Sequence, residues 1–293
     1  MQEKELFRKI RQIEITTRRL VNDAMAGEYH SVFKGRGIEY DEVRPYQPGD
    51  DVRTIDWNVT SRSGSLHVKK YVEERELTAL LLVDASRSTV FGSGAKSKEE
   101  VAAEIAAILA FSAIRNNDRV GAALFTGTVE KYIPPRKGSR HVLRLVREVL
   151  AFRPGRGDTS LGGALEFAVR VLKKRSILFL VSDFFDPSYE DALRIAARKH
   201  DVVAISINDG GEWELPAAGW VRFEDLESGR RALVPTFLPG VRRRHRERME
   251  ELRQRRRSLM QKHRVDHLEL RADQPYEKPL LQFFRMRAER ARR

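Results

Sequence analysis

Residues 77–83 form a run, apolar but for Thr78, that stops abruptly at Asp84-Ala85-Ser86-Arg87-Ser88. A strand with no polar alternation is buried on both faces of its sheet, as parallel strands covered by helices are. Residues 177–181 repeat the pattern and stop at Ser182-Asp183, and 119–125 and 201–207 read as further strands. Helix-forming segments lie between them at 99–114, 139–150, 160–172 and 187–199. Strand–helix alternation of this kind predicts an α/β fold, a doubly wound, mostly parallel sheet with helices on both faces. Residues 129–133 follow 119–125 across Thr126-Gly127-Thr128 and are expected to fold back as a hairpin partner.

The flanks differ in texture. Over residues 2–25, Leu6, Ile10, Ile13, Thr17, Leu20 and Ala24 make one stripe of an amphipathic helix, expected to dock on the body of the protein. Residues 27–75 lack a helical period and are punctuated by Gly35-Arg36-Gly37, Pro45, Pro48-Gly49 and Ser63-Gly64, the marks of turns. They predict a small β-rich insert with strands near 31–33, 38–44 and 65–72. Its polar residues are Arg36, Glu39, Asp41, Glu42, Arg44, Asp50, Asp51, Arg53, Asp56 and Arg62. They could form a second acidic metal site or a network of Arg–carboxylate pairs; the near balance of charges favours the network.

Beyond the alternating region, short strands near 220–223 and 231–234 are expected at a sheet edge. A basic helix at 238–263, a strand at 265–270 and a closing helix at 279–288 follow; the last docks through Leu280, Leu281, Phe283, Phe284 and Met286. The domain organisation read from these shifts is 1–26, 27–75, 76–237 and 238–293.

Hydrophobic residues make up 41% of the 293, enough for a sizeable core. The absence of cysteine excludes a thiolate zinc site, a cysteine nucleophile and a disulfide framework. The N-terminus lacks the apolar core of a signal peptide, and no apolar stretch approaches the ~20 residues that span a bilayer. The expectation is a cytoplasmic protein. Of the net charge of +13, the segment 241–264 alone carries eleven Arg/Lys against three Glu. Such a segment suits nucleic acid, an acidic lipid surface or an acidic protein partner, or is simply a solvated helix face; it lacks interleaved aromatics, so nucleic acid ranks low as a ligand.

In a doubly wound sheet, ligands bind at the carboxyl ends of strands. Three loops here deliver oxygens: Asp84, Ser86 and Ser88 after one strand, Asp158-Thr159 before the helix at 160–172, and Ser182-Asp183 after another strand. Each has a plain structural reading, as strand end, turn or helix N-cap; together they outline an all-oxygen shell. Hard cations favour such a shell, Mg2+ above all, with Mn2+ or Ca2+ as alternatives. Held chiefly by hydroxyls, the metal would stay electrophilic and seek one more anionic ligand from outside.

The pieces resemble the metal-ion-dependent adhesion site of von Willebrand factor A-like domains, Asp-x-Ser-x-Ser, then Thr, then Asp. By that resemblance Asp84, Ser86, Ser88, Thr159 and Asp183 would hold the metal. Thr89 departs from the Met that many such domains carry there, outside the ligand set. The insert, with Gly35-Arg36-Gly37-Ile38-Glu39-Tyr40 and Arg44-Pro45-Tyr46-Gln47-Pro48-Gly49-Asp50-Asp51, is similar to the bacterial domain-of-unknown-function (DUF) 58 family. That family is commonly encoded beside MoxR-type AAA+ ATPases. The resemblance implies a metal-dependent protein–protein adaptor, with no enzymatic activity. Its partner, an AAA+ ATPase or that ATPase's substrate, would donate an acidic side chain to the metal.

The competing reading is a metal-dependent phosphatase or hydrolase. A dehalogenase-type phosphatase needs a second acid two positions after Asp84. Ser86 stands there, and no Lys or His lies nearby in sequence to replace it. A two-metal nuclease built on Asp50, Asp51 and Asp56 would have to draw its ligands from a Pro-Gly turn. His263 and His267 are read as structural.

Overall fold

The computed structural model describes residues 3–21, 42–70, 76–153, 159–226 and 229–292. They fall into two units, Lys34–Glu76 on the one hand and Met1–Phe33 with Leu77–Arg293 on the other. Helix α1 (Glu3–Leu20) opens the larger unit.

In the smaller unit, β1 (Glu42–Pro45) pairs antiparallel with β2 (His67–Lys70), with Glu42 opposite Lys70 and Pro45 opposite His67. Between them runs a helix where sequence reading expected none, α2 (Trp57–Ser63). It is too short to show a period, and its caps make it. The Asp56 carboxylate accepts from the N–H groups of Asn58 and Val59 at 2.9 and 3.2 Å. Gly64, at φ +71°, ends the helix in the left-handed region that favours glycine.

The acids of this unit are spent locally. Arg44 grips Asp50 with two hydrogen bonds of 2.8 and 2.6 Å, and Asp51 accepts from the Arg53 N–H at 2.9 Å. Among the described residues the constellation thus shows one ion pair, Arg44–Asp50, and two caps, from Asp51 and Asp56. Arg36, Glu39, Asp41 and the strand expected near 31–33 lie outside the described residues. Losing a carboxylate N-cap costs about 1 kcal/mol. Asp56→Ala is therefore expected to speed hydrogen exchange at the Asn58 and Val59 amides by about fivefold; unchanged protection would show that the cap contributes nothing.

The larger unit continues with β3 (Thr78–Asp84), α3 (Lys98–Arg115), β4 (Arg119–Phe125), β5 (Val129–Arg136) and α4 (Ser139–Ala151). Then come α5 (Leu161–Val171), β6 (Ile177–Ser182), α6 (Glu190–Lys199), β7 (Asp201–Asn208) and the single turn α7 (Gly210–Trp213). It closes with β8 (Trp220–Glu224), β9 (Arg231–Pro235), α8 (Pro239–Lys262), β10 (Asp266–Arg271) and α9 (Glu277–Arg292).

Six strands form one sheet in the order β10-β7-β6-β3-β4-β5. Every pairing is parallel except that of β5, which folds back antiparallel on β4 as its hairpin turn predicted. The fold is α/β, with helices on both faces. The side-chain period of two sends Leu81 and Val83 to one core and Leu80 and Leu82 to the other. The first core gathers α3, α4, Ile13 of α1 and Leu280, Phe283 and Phe284 of α9. The second gathers α5, α6 and Met260 of α8. Both terminal helices thus dock, but Met286, expected on the docking face of α9, is exposed.

The hairpin β8–β9 corrects an expectation. It is a separate two-stranded sheet, Trp220 opposite Pro235, and not an edge of the main one. The edge beside β7 is taken instead by β10, while Trp220 and Leu233 remain exposed. Among the described residues, no helix is long and apolar enough to cross a membrane.

Candidate metal centre at the carboxyl ends of β3 and β6

From β3 the chain crosses to β4 on one side; from β6 it crosses to β7 on the other. The loops leaving β3 and β6 therefore diverge, and the strand order opens a crevice between their carboxyl ends. Asp84 closes β3 and Ser182-Asp183 close β6, so register alone brings these acids to the crevice.

The loop after β3 is tightly made. Asp84 and Ser86 are buried, at 2% and 0% exposure. One Asp84 oxygen accepts from the Ser86 N–H at 2.9 Å, and the other accepts from the Ser182 hydroxyl at 2.6 Å. The Ser86 carbonyl accepts from the Thr89 hydroxyl at 2.6 Å, so Thr89 closes the turn from outside the proposed ligand set. Ser86 Oγ and Ser88 Oγ lie 2.9 Å apart. The two hydroxyls are hydrogen-bonded to each other, and their separation also matches the roughly 3 Å edge of an octahedron with ~2.1 Å bonds. Burial, and then the nearby Asp183 carboxylate, push Asp84 up to about 7, against the hydrogen bonds from Ser182 and Ser86.

Asp183 is likewise buried. The next residue, Phe184, holds φ +60°, a left-handed conformation that costs a non-glycine residue on the order of 1 kcal/mol. The Ser182 hydroxyl accepts from the Phe184 N–H at 3.1 Å and steadies that bend. Thr159 is half-buried one residue before Ser160, whose hydroxyl accepts from the Gly163 N–H and caps α5. Cap duty thus falls to Ser160 and not to Thr159. Ser160 N–H donates to the Thr126 carbonyl just beyond β4, and Ala85 N–H to Phe125 at its end. These bonds tie the Thr159 and Asp84 loops to one rim of the sheet. Asp158 lies outside the described residues.

The arrangement contains groups that sequence reading missed. Lys98, at 1% exposure, places its ammonium 2.9 Å from Asp183 Oδ2 and 2.5 Å from Glu212 Oε1. Burial works against its charge, but Asp183 and Glu212 outweigh burial and raise its pKa. Arg256, also buried, donates to the Asp183 carbonyl at 2.9 Å. The lysine that the sequence around Asp84 lacks is thus supplied at Asp183, from 85 positions away. Val90, Phe91 and Phe185 stand exposed on the segments around the acids, the Phe185 ring 5.6 Å below the Lys98 ammonium.

The donor set suits a hard cation. Among the described residues no three His, Asp or Glu side chains converge, so any metal here would rest on two carboxylates and on hydroxyls. Asp84, with both oxygens already accepting, fits a ligand acting through water.

The fold is α/β, a mostly parallel sheet wound outward on both sides, with acids and hydroxyls at its switch point. The chain belongs to the family described as protein of unknown function DUF58, which it matches over residues 42–256. Uncharacterized protein Rv1480 of Mycobacterium tuberculosis is 33% identical over 230 residues, 77% of this chain and 72% of that protein. Uncharacterized protein YeaD of Bacillus subtilis is 31% identical over 107 residues, 36% of this chain and 25% of that protein. Among solved structures, the hypothetical protein BatB of Bacteroides thetaiotaomicron superposes with a TM-score of 0.49 at 15% identity, over 73% of this chain and 99% of that one. The SpRpn10 VWA domain does so with a TM-score of 0.36 at 14% identity, over 45% of this chain and 76% of that one.

Proposed function

We propose that this protein is a protein-interaction module that grips its partner through a divalent cation, Mg2+ or a relative, held by Asp84, Ser86, Ser88, Thr159 and Asp183. The observation that supports it most is the Ser86–Ser88 hydroxyl pair, 2.9 Å apart, on the loop that follows the buried Asp84 carboxylate. The exposed apolar residues Val90, Phe91 and Phe185 add desolvated contact around a polar centre, the anatomy of an interaction hot spot. The partner would supply an Asp or Glu side chain to the metal. By the family resemblance that partner is a MoxR-type AAA+ ATPase or its substrate, and the chain acts as an adaptor in the cytoplasm. The module binds and does not turn over a substrate: Ser86 stands where a phosphatase of this plan needs an acid, and Lys98 is engaged by two carboxylates.

The test is affinity capture from the native cell extract with Mg2+ and with chelator, wild type against Asp84→Ala and Ser86→Ala. One ATPase or its client should be captured only by wild type with Mg2+. Capture that survives both chelation and Asp84→Ala sinks the reading. Magnesium-dependent phosphomonoester hydrolysis abolished by Asp84→Asn would install the hydrolase instead.

A further inference from the structure

Lys98 is placed where a cation is hard to keep. It is the first residue of α3, directly after the Ser97 cap, so its stem starts at the positive end of a helix dipole. The helix behind it is almost wholly buried, and the side chain itself is at 1% exposure. Burial and dipole both disfavour an ammonium here, and two acids offset them.

The two acids are not equivalent. Glu212 is fixed by its surroundings. Its second oxygen accepts from the Asp209 N–H at 3.1 Å, closing a capping box on α7. Asp209 is in turn held by the Ser93 N–H at 3.0 Å and by the Ser93 hydroxyl. Asp183 serves two claims. Its Oδ2 takes the ammonium at 2.9 Å, while among the described residues its Oδ1 has a long 3.4 Å contact from the Phe185 N–H. One carboxylate suffices for one ammonium, so Glu212 can retain Lys98 when Asp183 is drawn elsewhere.

We propose that the Lys98 ammonium and a divalent cation compete for Asp183, so that Lys98 sets how tightly the centre takes metal. This rests on the metal-holding reading above and deepens it: Lys98 is the residue that regulates the site. A metal ion bound beside Asp183 faces a unit positive charge a few ångströms away and wins the carboxylate only as the ammonium shifts onto Glu212. The centre is thereby weakened for divalent ions, and removal of the lysine charge strengthens it.

The test is direct binding of Mn2+ to the full chain, by calorimetry and by the loss of the free-ion paramagnetic signal, with circular dichroism confirming the fold. Wild type is compared with Lys98→Met, with Lys98→Met/Glu212→Gln and with Asp183→Asn. The double substitution removes one charge of each sign and keeps a folded comparison should Lys98→Met alone misfold. Lys98→Met is expected to bind Mn2+ at least about tenfold more tightly than wild type, the size of removing a unit charge about 5 Å from a divalent ion even in a water-like dielectric, and the double variant, which also loses a negative charge, more tightly than wild type by a smaller factor. Asp183→Asn should lose binding. Equal affinity in wild type and the Lys98 variants, with binding still lost in Asp183→Asn, overturns the competition and leaves the metal site standing. No binding by any variant at millimolar Mn2+ overturns both.

Discussion

Lys98→Ala is expected to destabilise the protein by about 3–5 kcal/mol in the absence of divalent ions, measured by urea unfolding at neutral pH. The substitution leaves Asp183 and Glu212 in the crevice without their shared counter-charge, and both side chains are largely buried. Removing one partner of a buried pair costs more than the pair contributes, because the remaining charge has lost its water as well. Asp183→Asn should cost less, about 1–2 kcal/mol, since Glu212 still faces the ammonium and the amide oxygen can still accept. In the Lys98→Ala/Asp183→Asn double variant the losses should fall short of their sum by at least ~1 kcal/mol, since the two groups touch. Additive losses, or a Lys98→Ala chain as stable as wild type, would show that the buried contact carries no energy.

The alternation of strands and helices was legible because parallel strands buried on both faces have no choice of composition. Residues 77–83 and 177–181 could be little else once helices covered both sides. The ends of β3 and β6 were legible for a related reason: Asp84 and Ser182-Asp183 stop runs that are apolar but for Thr78. Lys98 was not. It follows Ser97 and precedes Glu99-Glu100, the ordinary look of an exposed helix start, and its partners lie 85 and 114 positions away. One signal was available: a lysine in the first turn of a helix whose other residues are mostly Ala, Val, Ile and Leu has little wet surface to reach and opposes the dipole. Helix α2 was missed because two local caps, not a period, define it. The β8–β9 hairpin was placed at a sheet edge because pattern alone shows that a strand forms, not which strand wins the edge. The basic helix α8 is the case in which composition misled most, since charge read as an outward-facing surface is partly turned inward.

That inward charge makes Glu269 the second position of large effect. On β10, its carboxylate accepts from Arg253 at 2.9 and 2.7 Å, from Arg257 at 3.1 and 2.6 Å, and from the buried Arg256 at 3.5 Å. Arg256 reaches onward to the Asp183 carbonyl, so one acid anchors both α8 and the back of the candidate centre. Glu269→Ala removes the counter-charge of three guanidiniums, one of them buried, and is expected to cost about 3 kcal/mol. The pH dependence follows from the same contacts. Burial alone would raise the Glu269 pKa, but the hydrogen bonds from Arg257 and Arg253 and the charge of Arg256 bring it from 4.5 down to about 2. A carboxylate with a depressed folded value stabilises the fold above its unfolded value and loses that contribution as pH falls through the folded one. The Glu269 contribution is thus complete at neutral pH and disappears between 4.5 and about 2. Urea unfolding across that interval should give wild type a steeper loss of stability with acid than Glu269→Gln, whose side chain does not titrate. Parallel curves for the two proteins would mean that the three arginines hold α8 to β10 without drawing on the charge of Glu269.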